Sequence, residues 1–445
     1  MKKTGTVQEA GTGISKEELY NSTPVPEKIR TGWVPTAVIY SGNMASISCC
    51  MGGGGLIAGL AFGPAVGAML IGLAILVFVV FIPLGKIGAE QGLSSYYIGE
   101  SAFGTVGSNF VSVLIATAIP CIGWYGVNVA VASDAVASVF KLGPTAATIT
   151  MIVMGLIFAL PSMFGTNSMA WLNYLCIPVM FFIIIFGVIR SLSVLGGIAP
   201  ALAAVPTEPK SFLWGVNLMV GLIIVGCSFV ADYTRWQKNS LGGVAASGVV
   251  GLFPFVIILA IPGMIMSISA GTLGVTDTWN LVSVMSAIGM PSFALLLIIL
   301  LQWTTCIAST YSTGIALSKL FKGNRRFWTM LSALLGIILS VTGIINYFLD
   351  MLGILASWVS PVVGILITEY FIISKRKLVV KKGVYLPGVI AWFIAGFVAW
   401  LVPFFIPAIN AMIVGGLLYF ILDRFMRPKV VETSDVTPAA QSPQS

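Results

Sequence analysis

The side chains best suited to chemistry are neutral oxygens inside an apolar stretch. Six serines and threonines fall within the ten residues from Thr304 to Thr313, in a region otherwise rich in leucine and isoleucine. Several neutral oxygens suit a small, hard cation, above all when a broken helix frees backbone carbonyls nearby. The alternative is that each hydroxyl bonds back to a carbonyl of its own helix. A cation site is the interpretation that we favour.

A second candidate lies in the run from Gly123 to Asn128. Trp124 and Asn128 are four residues apart, so on a helix they share one face. An indole beside a carboxamide can stack on a flat ring and read its hydrogen-bonding edge. The alternative is that Trp124 only packs or anchors the chain. The neighbouring amide, which is costly to leave unpaired in an apolar setting, favours a binding role.

The ionisable residues argue against an enzyme. The chain has no histidine among its 445 residues, which removes the commonest metal ligand and the commonest general base. No paired carboxylates or clustered metal ligands stand out, and Asp134, Asp232 and Glu369 fall near the ends of apolar stretches. We therefore predict no catalytic residues and no cofactor, and we disfavour proton coupling through a central carboxylate.

Composition identifies the elements that must position these residues. The chain is 58% hydrophobic and only 9% charged, whereas about a quarter of the residues of a soluble domain are charged. It is therefore predicted to be an all-α polytopic membrane protein with twelve transmembrane helices. These are Trp33–Leu60, Gly63–Leu84, Val106–Phe140, Thr145–Phe164, Ser168–Ile189, Phe212–Tyr233, Gly242–Ser269, Pro291–Phe321, Phe327–Tyr347, Met351–Ile373, Tyr385–Phe405 and Ala408–Leu422, called the first to twelfth spans below.

Positive charge predicts the orientation. With both termini inside, all but three of the 23 lysines and arginines fall on the inner side, the exceptions being Lys141, Arg190 and Lys210. Cationic loops resist translocation, so both tails, residues 1–32 and 427–445, are predicted to be cytoplasmic in a cell (inner or plasma) membrane. The net charge of +8 then marks the inner face and implies no nucleic-acid partner.

The spans suggest two inverted units. Five spans (residues 33–193) precede an outer connection (194–211), so a second five-span unit (212–374) enters the bilayer in the opposite sense, followed by two additional helices (375–426). Each unit opens on a glycine-bearing span, with Gly52–Gly55 in the first and Gly221 and Gly226 in the sixth. We expect a functional break in the first span, with close helix packing as the alternative. The segment Gly88–Gly104 is expected to be amphipathic and to lie on the inner surface.

Together these features resemble the nucleobase–cation symporter family, in its purine–cytosine permease branch. The resemblance covers nearly the whole chain. It is carried by Arg30-Thr31-Gly32, Gly52–Leu60, Gly88–Ser94, Gly123–Gly126, Ala231–Trp236, Trp303-Thr304-Thr305 and Glu369-Tyr370.

The resemblance implies a fold, an ion and a set of residues. The fold would be LeuT-type, with two inverted five-helix repeats plus two extra helices. Sodium would be the coupling ion, held by Gly42, Ala45, Leu301, Thr304 and Thr305. Trp124 would stack on the substrate, and Asn128 falls where some members carry a hydrogen-bonding amide. The full predicted substrate set is Trp124, Asn128, Ser46, Ile223, Gly226, Ser228, Phe229, Cys306 and Ser309.

Departures from the family pattern bear on the substrate. Ile223 stands where cytosine-transporting members place an aromatic residue, and Cys306 begins a stretch that is rich in Asn and Asp in those members; Phe229 could supply a substitute wall. We therefore predict a symporter that imports a nucleobase such as cytosine or a purine, or a related pyrimidine. A hydroxymethylpyrimidine-type vitamin precursor, proton coupling and an uncoupled permease stay open as alternatives, and so does a sensor that has kept the fold. The oligomeric state is left open.

Overall fold

The computed structural model describes residues 20, 23–164, 166–206, 208–321, 324–402 and 404–426, without the side chains of residues 164–177 and 319. The predicted C-terminal tail and most of the N-terminal tail lie outside this part. Within it the regular structure is helical, apart from one isolated bridge between Thr31 and Gln237. The prediction of an all-α protein is confirmed.

Nine helices in the described residues are long and apolar enough to cross a membrane. Large apolar side chains such as Phe78, Phe110 and Ile185 are more than two-fifths exposed on their outer faces, as expected where lipid replaces water. The nine are Phe62–Gln91, Ser95–Phe140, Pro144–Met163, Pro178–Leu195, Phe212–Thr234, Leu241–Thr272, Ser292–Ser318, Ile344–Ile373 and Pro407–Met426.

The remaining predicted spans correspond to shorter helices. The first span consists of Val34–Met44 and Ile47–Ile57, the ninth is Arg325–Val341, and the eleventh is Leu386–Leu401. The total of twelve stays a prediction, because these helices are individually shorter than the usual membrane crossing of about 20 residues.

The first span is broken, but not at its glycines. Its helical geometry ends at Ala45 (φ −70°, ψ 55°), and Ser46 is extended (φ −123°, ψ 142°) and caps the next helix through the N–H of Ser48. The glycine run lies inside that helix, and a Cβ on Gly53 would stand 2.1 Å from the Ala260 carbonyl oxygen. The glycines therefore serve close helix packing, and the capping residue marks the break.

The sixth span is also broken. The helix Phe212–Ser228 ends at Phe229 (φ −105°, ψ 25°), and a short helix, Ala231–Thr234, follows. Gly221, which sequence reasoning associated with the break, is instead a packing glycine, because an added Cβ would lie 2.0 Å from the Leu352 carbonyl oxygen. The break predicted in the first span is thus present, at Ala45 and Ser46 instead of the glycine run, and the sixth span, for which the sequence left a break and close packing both open, breaks at Phe229.

The segment Gly88–Gly104 differs from its prediction as an inner-surface helix. Its first residues complete the helix Ile82–Gln91, and a separate helix begins at Ser95 and kinks at Gly104 (φ 79°) before continuing into the third span. Ser95, Ile98, Ser101, Ala102 and Phe103 are all buried. The segment is therefore packed inside the protein, and we call residues 95–103 the connecting helix.

The boundary between the ninth and tenth spans is shifted. The ninth helix ends at Val341, and Ile344–Tyr347 forms a 3₁₀ turn that leads directly into the helix Phe348–Ile367. Two short helices, Ala199–Ala203 and Leu281–Ala287, lie in connections that the sequence had left without structure.

A buried charged cluster joins the ends of the last three helices, although the charge count had placed its lysine, Lys381, simply on the inner side. Lys381 Nζ lies 3.0 Å from Glu369 Oε2 and 3.8 Å from Asp423 Oδ1, and it donates to the Tyr419 hydroxyl at 2.7 Å. The Tyr385 hydroxyl donates to Asp423 Oδ1 at 2.6 Å. All five side chains are buried. Opposite charges inside the protein are thus paired and hydrogen-bonded, as burial requires.

Candidate substrate and ion site

The break in the first span meets the hydroxyl-rich run of the eighth. Ser46 Oγ lies 3.3 Å from Thr305 Oγ1, within hydrogen-bonding distance, and 3.3 Å from Ser48 Oγ. The cap at Ser46 holds its oxygen at the end of one half-helix, and Thr305 presents its hydroxyl from the helix Ser292–Phe321. Neutral oxygens from two elements therefore converge at the break.

The other hydroxyls of the run mostly bond within their own helix. Thr304 donates to the Leu301 carbonyl at 2.8 Å, Thr310 to the Cys306 carbonyl at 2.9 Å, and Thr313 to the Ser309 carbonyl at 2.8 Å. The back-bonding alternative is thus realised at these positions. Thr305 is the member of the run that reaches another span at the break.

The residues present fit a small cation. Gly42 and Ala45 lie at the end of the helix Val34–Met44, where terminal carbonyls lose their intrahelical donors; the Ser41 carbonyl accepts the Ala45 N–H at 2.9 Å. The Leu301 carbonyl lies beside the Thr304 hydroxyl. Hard cations prefer such oxygen sets, and the described residues contain no cluster of acidic, cysteine or histidine ligands that would favour a transition metal.

Trp124 is half-buried and meets the tenth span. Its ring lies edge-on to Phe348 at 6.0 Å between centroids, and Phe348 stacks on Trp279 at 5.6 Å. Sequence reasoning missed Phe348 and Trp279, which gave no signal beyond being aromatic. The stacking residue predicted for the substrate therefore forms part of an aromatic group of three.

Asn128 is fully buried, and neither atom of its amide has a hydrogen-bond partner among the described residues. Gln302, which sequence reasoning did not select, shares both properties. Cys306 and Ser309 are buried as well, and the Cys306 thiol faces the Tyr125 carbonyl of the third span at 4.0 Å. Buried amides without partners are rare in native proteins, so both call for an explanation.

The predicted residues of the sixth span have different environments. Ile223 is buried in the apolar core, while the Gly226 carbonyl accepts a hydrogen bond from the Tyr40 hydroxyl at 2.9 Å. A Cβ added to Gly226 would meet no atom within 4 Å, so space is open beside it. Tyr40, missed in the sequence, thus connects the first and sixth spans close to both breaks.

Ser228 and Phe229 line a small cavity on the side of the connecting helix. The connecting helix, the third span and the tenth border the cavity, and its other lining residues are Ser95, Tyr96, Ser112, Ala116, Thr117, Val362 and Leu366. Thr117 precedes Trp124 by seven residues, which is about 10 Å along a helix. The predicted substrate residues therefore do not all face one cavity in this conformation.

The family follows from comparison with known sequences. A model of permeases for cytosine/purines, uracil, thiamine and allantoin matches residues 24–434. The chain belongs to this permease family. The prediction of a membrane transporter rather than an enzyme is confirmed, and so is the resemblance on which it drew.

Individual relatives agree with this assignment. The chain is 25% identical to the cytosine permease of Escherichia coli strain K12 over 424 residues, which cover 94% of this chain and 97% of the relative. The cytosine permease of Escherichia coli O157:H7 matches to the same extent.

Solved structures confirm the fold. The inward-facing conformation of Mhp1 aligns with a TM-score of 0.76 and 18% identity over 90% of this chain and 92% of that one. Mhp1, described as a nucleobase-cation-symport-1 family transporter, aligns in a closed conformation with bromovinylhydantoin bound at a TM-score of 0.74 and 17% identity, over 91% and 95% of the two chains. A Na⁺-coupled sialic acid symporter aligns at 0.60 with 11% identity, over 93% and 92%. The LeuT-type fold predicted for this chain is thereby shown.

Proposed function

We propose that this permease imports a small planar heterocycle, a nucleobase such as cytosine or a related pyrimidine, by symport with sodium. The observation that carries the proposal is the contact between Ser46 and Thr305, at 3.3 Å. It sets the end of a broken helix against a hydroxyl on another span, which is how neutral oxygens can replace the hydration shell of a small cation. The same ion is named for the sialic acid symporter of like fold.

The two broken spans supply the coupling. Sodium held between Gly42, Ala45, Leu301, Thr304 and Thr305 fixes the first span against the eighth. The hydrogen bond from the Tyr40 hydroxyl to the Gly226 carbonyl connects the first span to the sixth just before its break, so a shift of the first span also moves the sixth. Asp232, just past that break, accepts the N–H of Ser95 at 2.7 Å. Movement of the broken spans would therefore pull on the connecting helix at the foot of the third span.

The third span supplies the substrate contacts in this proposal. Trp124 would stack on the ring, an interaction worth about 0.5–1.5 kcal/mol beyond burial, after its contact with Phe348 opens. Asn128 would hydrogen-bond to the ring edge, which would give its buried amide a partner. The relatives support a flat ring as substrate, since one is named for cytosine and the Mhp1 structure holds a bound hydantoin.

A second candidate substrate is a hydroxymethylpyrimidine-type vitamin precursor. Ile223 and Cys306 are buried and apolar at positions where cytosine transporters are expected to be aromatic or polar. Phe229, which lines the small cavity beside the connecting helix, offers an aromatic wall in a different place. A less polar pyrimidine with a bulkier substituent suits such a pocket. Proton coupling is the corresponding alternative for the ion.

The arrangement in the membrane belongs to the same proposal. Both termini would be cytoplasmic, in a cell membrane, with twelve spans built from two inverted five-helix units and two added helices. The buried cluster around Lys381 would then lie near the inner face, and the aromatic group of Trp124, Phe348 and Trp279 toward the outer face.

The test is uptake by the purified protein in liposomes. Radiolabelled cytosine and hydroxymethylpyrimidine are offered with an inward sodium gradient, an inward potassium gradient, or a proton gradient alone. We expect accumulation above the external concentration only with sodium. Accumulation driven equally well by protons alone would refute sodium coupling, and uptake that never exceeds equilibrium would refute symport.

A further inference from the structure

Asn128 of the third span and Gln302 of the eighth are buried amides on two helices that pack against each other, and the predicted substrate set contains only the first of them. Asn128 and Gln302 are both 0% exposed. All four polar atoms of their amides lack a partner among the described residues. A buried amide left without a partner is destabilising, and two of them in contact spans point to a ligand that supplies the missing bonds.

Two contacts give the register of the two helices. The Cys121 side chain pairs with that of Thr313, and the Cys306 thiol faces the Tyr125 carbonyl. The residue number rises along one helix as it falls along the other, so the helices are antiparallel. Asn128 lies three residues beyond Tyr125, and Gln302 four residues before Cys306. The two amides therefore lie at the same level, within about one residue rise of 1.5 Å.

The side chains around Gln302 point elsewhere. Trp303 stacks on Phe158 of the fourth span at 5.5 Å, and Thr305 reaches Ser46 of the first. Gln302 and Cys306 are one turn apart and share the face toward the third span. Gln302 is also one turn, about 4.5 Å, from Thr305. Gln302 thus lies one turn from the proposed ion site, but on a different face of the eighth span.

We propose that Gln302 determines specificity by binding the hydrogen-bonding edge of the transported ring opposite Asn128. This inference rests on the proposed transport of a planar heterocycle. Each carboxamide offers one acceptor and two donors, so the pair matches a ring edge with adjacent donor and acceptor groups, such as an aminopyrimidine or a lactam. A ring that lacks one of them would leave a buried amide unpaired and would be rejected.

The test compares cytosine with 3-deazacytosine, in which a C–H replaces the ring nitrogen that accepts a hydrogen bond. Gln302→Met keeps the side-chain length and removes the amide. We expect this variant to bind cytosine about 10- to 100-fold more weakly and 3-deazacytosine with little change, so the preference for cytosine largely disappears.

Gln91→Met is the matched control, because the Gln91 amide already has partners: it donates to the Tyr370 hydroxyl at 2.6 Å and to the Arg376 carbonyl at 3.3 Å. We expect this control to lower the melting temperature of the ligand-free protein and to leave the cytosine preference intact. Gln302→Met should leave that melting temperature unchanged or raise it, because it removes an amide without partners.

Three results would overturn the inference. If Gln302→Met keeps the wild-type preference, the amide pair binds only water or itself. If it destabilises the ligand-free protein and weakens both rings equally, Gln302 is structural. If the wild-type protein binds neither cytosine nor hydroxymethylpyrimidine, the proposed function fails first, which distinguishes that failure from one confined to Gln302.

Discussion

At the scale of single residues, the direction of a hydroxyl matters more than its presence. Thr304, Thr310 and Thr313 donate to carbonyls of their own helix, whereas Thr305 reaches Ser46 across the break. The sequence predicts the hydroxyl run but cannot distinguish its members, because a threonine rotamer depends on the neighbouring span. A cation role is therefore best tested at Thr305.

We predict that Thr305→Val abolishes sodium dependence. Coupled sites typically change each other's affinity by about 5–150-fold, and the variant should bring that factor close to one in binding assays with sodium and with potassium. Thr313→Val is the control, since its hydroxyl bonds to the Ser309 carbonyl, and it should keep the sodium effect. Sodium stimulation that persists in Thr305→Val would exclude this hydroxyl as a ligand.

The two buried amides show which site residues the sequence can identify and which it cannot. Asn128 was selected because it shares a helix face with Trp124, and it is indeed buried without partners. Gln302 sits directly before the conspicuous Trp303-Thr304-Thr305 and was passed over. Only the packing of the eighth span against the third reveals that its amide is buried. Burial of a polar side chain between two apolar helices leaves no periodic signal in either one.

At the scale of elements, the sequence predicted a break in the first span but associated it with the glycine run, and for the sixth span it left a break and close helix packing both open. Glycine weakens an isolated helix, so Gly52–Gly55 looked like an interruption. In the structure Gly53 and Gly54 let the seventh span approach, and the break falls at Ala45 and Ser46. Ser46 carries a recognisable signal, because serine is a favoured helix cap. Helix packing, which involves distant residues, overrides the local preference.

The packing role of the glycine run leads to a prediction of stability. A Cβ on Gly53 would lie 2.1 Å from the Ala260 carbonyl oxygen and would have to displace backbone. We expect Gly53→Ala to destabilise the protein by about 1–3 kcal/mol through overpacking, measured as a lower melting temperature in detergent.

Gly63→Ala supplies the comparison. It is also a helical glycine, but its added Cβ meets no atom within 4 Å, so the substitution should be neutral or stabilising. If both variants melt alike, the close approach of the seventh span does not limit stability.

At the scale of the whole molecule, the charged cluster links parts that are far apart in sequence. Lys381 bonds to Glu369 and Tyr419 through its side chain, and its carbonyl accepts the N–H of Thr105 beside the kink at Gly104. The last three helices are therefore tied to the foot of the third span. Sequence reasoning counted Lys381 as an ordinary inner-loop cation, because a buried lysine and an exposed one look alike in a short basic run.

We predict that Lys381→Met destabilises the protein by about 3–5 kcal/mol, since it leaves two buried carboxylates without their cation. Thermal unfolding measures the loss. Adding Glu369→Gln and Asp423→Asn to the same chain should recover part of it, because the remaining groups are neutral. A triple variant no more stable than Lys381→Met would mean that Lys381 contributes through packing alone.

The predicted orientation in the membrane rests on the distribution of lysine and arginine between the two sides, and it can be tested on intact cells. Gly143 lies in a connection predicted to be outside and Lys238 in one predicted to be inside, and both are exposed. The five cysteines whose side chains the structure describes are buried, so background labelling should be low.

A membrane-impermeant maleimide applied to intact cells should label Gly143→Cys at once, and Lys238→Cys only after the cells are permeabilised. The opposite pattern would reverse the predicted orientation. Equal labelling of both would place the two connections on one face, which an odd number of spans between them (the fourth to the sixth) does not allow.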